Sequence, residues 1–105
     1  MLSLKTGVRV LGIRPELLLA VIVAERAYAE AAADCVITAC VDSKHSRGSL
    51  HYSGAAVDLR TNNLHPGEAD KIIARLRACL GADFDVLLES DHIHIEFQPK
   101  EPFTA

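Results

Sequence analysis

Phe84-Asp-Val-Leu-Leu-Glu-Ser-Asp-His-Ile-His-Ile-Glu-Phe97 is the stretch that decides how this chain folds. Phe84–Glu89 and His92–Phe97 read as two strands, and Ser90-Asp91 between them has the length of a tight hairpin turn. Pairing across that turn sets Glu89 opposite His92 and Leu87 opposite His94. Side chains alternate along a strand, so Leu87, Glu89, His92, His94 and Glu96 are expected on one face. A carboxylate and two imidazoles on one face of a hairpin make half of a metal site.

Immediately before the hairpin, Ile72, Ile73, Leu76 and Leu80 give a helix one apolar face. Pro66 and Glu68 open that helix and Gly81 stops it. Ala55 to Arg60 reads as a short strand, and Asp42 to Ser53 as a polar loop. Cys35-Val-Ile-Thr-Ala-Cys-Val41 is β-branched and reads as an inner strand. Pro15 occupies the first position of a helix running to about Ala33, with Leu18, Val21, Ile22, Glu25, Ala29 and Ala32 near helical spacing. Val8 to Leu11 is expected to be a short strand. The order of elements gives an α+β fold: one domain over residues 1–105, with helices packed on one side of a mainly antiparallel sheet.

A chain of 105 residues suits one compact unit. At this size a bound metal is a useful clamp on a modest core. The net charge is −3, with no basic stripe and no run of like charges, which argues against nucleic acid or an anionic membrane as partner. No charged start, long apolar run and small-residue cleavage site occur together, so no signal peptide is expected. The apolar run from Leu17 to Ala24 is too short to span a bilayer. Cys35, Cys40 and Cys79 match no zinc-finger spacing and are expected to be small buried hydrophobes in a reducing compartment. A monomer is expected.

Four of the five histidines fall in two short segments, each accompanied by acidic residues. One is the hairpin; the other runs from His45 to Asp58 and contains His51. Two histidines and one carboxylate would satisfy a zinc ion that keeps one open position. His65 reads as a surface residue, Gly54 as a turn residue and Ala56 as a packing residue.

At these residues the chain resembles a known group of zinc proteins. Ser49-x-His51-x-x-Gly54-x-Ala56-x-Asp58 matches the SxHxxGxAxD motif of the D-alanyl-D-alanine metallopeptidases. His92-x-His94 is similar to the second motif of the wider lysostaphin-type peptidoglycan peptidases. The stretch from His45 to Asp58, HSxxSLHYxGxAVD, closely resembles the zinc site of the hedgehog amino-terminal signalling domain, as does the later one from Glu89 to His94. The resemblance covers roughly residues 35 to 98.

That resemblance implies one zinc per chain, with His51, Asp58 and His94 as ligands. Glu89 looks like the general base that activates water. His45 matches a site histidine of the hedgehog-like branch, and His92 the non-ligand histidine of the pair; either would help stabilise an oxyanion. Ser49 belongs to the motif and also reads as a loop anchor. Arg47 and Arg60 are candidates to hold a substrate carboxylate. The turn after Glu89 is one residue shorter than in hedgehog domains, and in one phage endolysin branch the acid stands three before the zinc histidine, which here is Asp91.

The expected function is therefore a zinc peptidase acting on peptidoglycan stem peptides or cross-bridges. It would be cytoplasmic in the producing cell or phage-associated, and would act on the wall after release. The alternatives are a non-catalytic hedgehog-like zinc binding module and a phage structural component.

Overall fold

The computed structural model describes residues 1–41 and 54–100. Within them the chain runs β1 (Leu2–Leu4), α1 (Pro15–Glu30), β2 (Cys35–Ala39), β3 (Ala56–Arg60), α2 (Glu68–Leu80), β4 (Phe84–Leu88) and β5 (His92–Phe97). The five strands form one sheet in the order β1-β2-β3-β5-β4. Only the β1–β2 pair is parallel. This is the α+β, mainly antiparallel architecture expected, with both helices against one face.

The hairpin has the expected register. Leu87 pairs with His94 and Val86 with Ile95, and the Glu89 N–H donates to the His92 carbonyl at 2.9 Å. Strand β3 lies along the other edge of β5, with Val57 opposite Ile95, Asp58 opposite His94 and Leu59 opposite Ile93. Alternation sends Val57, Leu59, Val86, Ile93 and Ile95 to the helix side, where all are buried. Burying each contributes about 1.5–3 kcal/mol.

The helices are tied to this core by polar contacts as well as packing. The Tyr28 hydroxyl of α1 donates to the Arg60 carbonyl at 2.6 Å, joining α1 to the end of β3. From α2, Arg77 donates through Nε (3.2 Å) and Nη2 (2.6 Å) to the Val86 carbonyl of β4. Gly81 caps α2 at φ 79°, a conformation that residues with a Cβ adopt at a cost.

Several expectations are corrected. Residues Val8 to Leu11 form no strand; the edge strand is Leu2–Leu4, which pairs with Cys35–Ile37 of β2. Helix α1 ends at Glu30, three residues before Ala33, and residues 31–34 turn the chain into β2. Its buried face comprises Leu17, Ala20, Val21, Ala24, Ala27 and Tyr28, whereas Leu18 and Ile22 are exposed. Helix α2 starts at Glu68, with Gly67 as N-cap in a left-handed conformation. Cys35 and Cys40 are buried as expected, but Cys79, in the last turn of α2, is exposed. His65 is at the surface, where its backbone N–H donates to Glu68 Oε1 at 2.6 Å. No helix among the described residues is long and apolar enough to cross a membrane.

Candidate metal centre

With the helices on one side, the opposite face of the sheet collects the polar half of each strand. Asp58 and Arg60 of β3 lie beside His94 and His92 of β5, and Asp85 and Leu87 of β4, with Glu89 just after its end, line the same side. Asp58 is 8 % exposed and is the one buried charged residue among those described. A carboxylate so placed needs a compensating charge or donors nearby.

Among the described residues the two imidazoles answer that need. Asp58 Oδ1 stands 2.7 Å from His94 Nδ1, and Asp58 Oδ2 stands 3.6 Å from His92 Nε2. One potential ligand atom from each of Asp58, His92 and His94 lies within 4.8 Å of the others. Two nitrogens and one carboxylate oxygen in such a cluster fit the donor preference of zinc, which binds them at about 2.0–2.2 Å. The metal would replace the short Asp58–His94 hydrogen bond.

Each imidazole is held from behind by a carboxylate. Glu96 Oε1 is 3.1 Å from His94 Nε2, and Asp91 Oδ1 is 2.6 Å from His92 Nδ1. Such partners fix ring orientation and raise the basicity of the other nitrogen. The hydrogen bond to Asp58 holds the His94 pKa above its ordinary value; burial opposes this, and Glu96 adds to the rise.

Glu89 stands at the edge of the cluster and is more exposed. Its Oε2 is 3.7 Å from His92 Nε2 and its Oε1 is 4.0 Å from His94 Nδ1. The hairpin therefore brings Glu89, His92 and His94 together as its register implies. Asp91 instead points at the far side of His92. Arg60 is half-buried on the same face.

The remaining sequence candidates, His45, Arg47, Ser49 and His51, lie outside the described residues. The described part of the site thus unites Asp58 and His94, two of the three expected ligands, with His92. The motifs do not mark Glu96 and Asp91 as partners of the imidazoles. For Glu96 the sequence does carry a signal, since strand alternation puts it on the same face as His94.

Gly54 matters to the site through its backbone. It sits at φ 74°, and a Cβ there would run into the Gly12 carbonyl oxygen. The Arg14 N–H donates to the Gly54 carbonyl at 2.9 Å, so the chain entering β3 is fastened to the segment preceding α1.

No curated protein and no solved structure matches the chain. The family model of the Hedgehog amino-terminal signalling domain matches residues 17–96. That span includes all of α1 but its first two residues, all of β2, β3, α2 and β4, and β5 up to Glu96, with the Asp58, His92 and His94 cluster. With well over half of its length matched, the chain belongs to the Hedgehog amino-terminal signalling domain family.

Proposed function

We propose that the chain is a hedgehog-like zinc domain in which the metal orders the helix-free face of the sheet as a recognition surface for a partner. Asp58 and His94 are the ligands supplied by the sheet, and His51, from the motif, is the third. His92 flanks them. The observation that carries this reading is the convergence of Asp58, His92 and His94 within 4.8 Å in a chain of this family. Zinc is the preferred metal because the donors are nitrogen and carboxylate oxygen and the family resemblance includes a zinc site.

A second reading, hydrolysis of peptidoglycan stem-peptide or cross-bridge bonds, is favoured by one further observation. Glu89 lies beside both imidazoles, within 4.0 Å of each, where a base would have to stand. Zinc at this site would supply Lewis acidity to the scissile carbonyl and acidify a water molecule. Glu89 then takes a proton from the attacking water and passes it to the leaving amine. His92, held at Nδ1 by Asp91, would donate a hydrogen bond from Nε2 to the developing oxyanion in its imidazolium form.

Incubation with muropeptides separates the two readings. Cleavage that disappears on chelation and returns with zinc makes the protein a peptidase. A zinc-loaded protein that leaves every muropeptide intact is the recognition domain.

A further inference from the structure

Beside the metal cluster, the helix-free face carries a cavity of about 260 Å³ lined by Lys5, Thr38, Arg60, Asn62, Asp91 and His92. Its walls come from segments distant in sequence. Lys5 follows β1, and its N–H donates to the Ile37 carbonyl at 2.9 Å, which sets it next to Thr38. Arg60 closes β3, with its carbonyl held by the Tyr28 hydroxyl. Asp91 and His92 come from the hairpin turn, and His92 is common to the cavity and the metal cluster.

The charges of this lining are unbalanced. Lys5 and Arg60 are cationic, and neither has an ion-pair partner among the described residues. The single acidic group, Asp91, is already engaged with His92 Nδ1 at 2.6 Å. Two cations against one carboxylate leave room for one further negative charge, and a dianion would meet repulsion from Asp91. A guanidinium matches the planar carboxylate in a bidentate fashion. The Asn62 amide supplies a neutral donor at the same opening.

We propose that this cavity is a carboxylate subsite, in which Arg60 and Lys5 hold the anion and direct the group attached to it towards His92 and the metal centre. Lys5 lies outside residues 17–96, so one of the two cations falls outside the span that matches the family model. The proposal rests on the zinc-domain reading for what lies beyond the carboxylate, but the subsite itself is defined by Lys5, Arg60 and Asn62. A peptide C-terminus and an acidic side chain both present this chemistry.

The test is NMR titration of the zinc-loaded full chain with three small probes: N-acetyl-alanine, its N-methylamide, and N-acetyl-glutamate N-methylamide. The first carries a terminal carboxylate, the second none and the third only a side-chain carboxylate. At least one acid is expected to bind about tenfold more tightly than the neutral amide, with shifts at Arg60 and Asn62. Arg60→Gln should abolish that preference. Lys5→Gln, at an exposed position that does not endanger the fold, should reduce it about threefold. Lys100→Gln, which removes the partner of Asp85, should leave it unchanged. Tighter binding of N-acetyl-alanine makes a chain terminus the source of the carboxylate, and tighter binding of the glutamate probe makes it a side chain. Equal binding of acids and amide, or a preference that survives both Arg60→Gln and Lys5→Gln, would overturn the proposal. Zinc content is measured on the same samples: a chain that holds no zinc but keeps the preference contradicts the metal reading and leaves the subsite standing.

Discussion

Asp58 of β3 and His94 of β5 face each other across the ladder, with Asp58 Oδ1 2.7 Å from His94 Nδ1. The same register that makes this pair also buries Val57, Leu59, Ile93 and Ile95 on the opposite face. A slip of one residue would send Asp58 into the apolar core and Val57 and Leu59 to the polar face. The hydrophobic core therefore fixes the relative position of these two candidate ligands without help from a metal. The polar cluster on one side and the helix-packed core on the other are two consequences of one pairing.

The positions of Glu89 and Asp91 around His92 give them separable roles. Glu89 faces the cluster, whereas Asp91 holds His92 from behind. In the peptidase reading, Glu89→Gln is expected to keep zinc and fold but to lose hydrolysis by about 100-fold or more, the scale of a lost general base. Asp91→Asn should lose much less. Steady-state rates on muropeptides, with metal content measured alongside, check the ranking. The reverse order in fully loaded variants would transfer the base role to Asp91.

Gly54 is expected to be intolerant of any side chain. Its positive φ and its closeness to the Gly12 carbonyl both oppose a Cβ. Gly54→Ala should cost roughly 2–6 kcal/mol, the sum of left-handed strain and an overpacked contact. Urea denaturation measures this. An unchanged midpoint would contradict the described approach of residues 10–14 to the start of β3.

The thiols should differ sharply in reactivity. Burial pushes the Cys35 thiol up to about 12, and Cys40 is fully buried, while Cys79 is exposed. Thiolate is the reactive form, so the native protein at pH 8 should label rapidly at Cys79 alone. Mass spectrometry after brief alkylation should find one adduct, and three after unfolding. Rapid native labelling of Cys35 would show that β2 is not sealed beneath α1.

The parts of this fold that were legible in the sequence are those where local pattern and burial agree. Alternation and turn length gave the hairpin its register, and α2 showed a single apolar face ending at Gly81. Helix α1 is apolar nearly all round, so periodicity did not distinguish the buried Leu17, Val21, Ala24 and Tyr28 from the exposed Leu18 and Ile22. Strand β1 was invisible because its three residues are all exposed and its pairing comes from the open edge of β2, more than thirty residues away. Asp58 and His94 were legible from motif and strand geometry together. Lys5 was not, since only the long-range β1–β2 contact brings it to the site.

Metal removal should lower stability. Asp58 and His94 are separated by 36 residues, so a shared metal closes a long stretch of chain and its binding energy adds to folding. The melting temperature is expected to fall by about 10 °C or more when a strong chelator replaces saturating zinc. Equal melting temperatures in the two conditions would mean that the metal does not stabilise this fold.

The most direct test of the account is the zinc stoichiometry of the purified chain and of its single ligand variants, measured by elemental analysis after equilibration with zinc and desalting. One zinc per chain is expected in the unaltered protein. Asp58→Ala and His94→Ala should lose it while keeping the far-ultraviolet circular dichroism of the fold. His51→Ala should lose more metal than His92→Ala, and the opposite order would give the third coordination position to His92. A folded His94→Ala or Asp58→Ala protein that still carries one zinc would contradict a metal centre built on the β3–β5 pair.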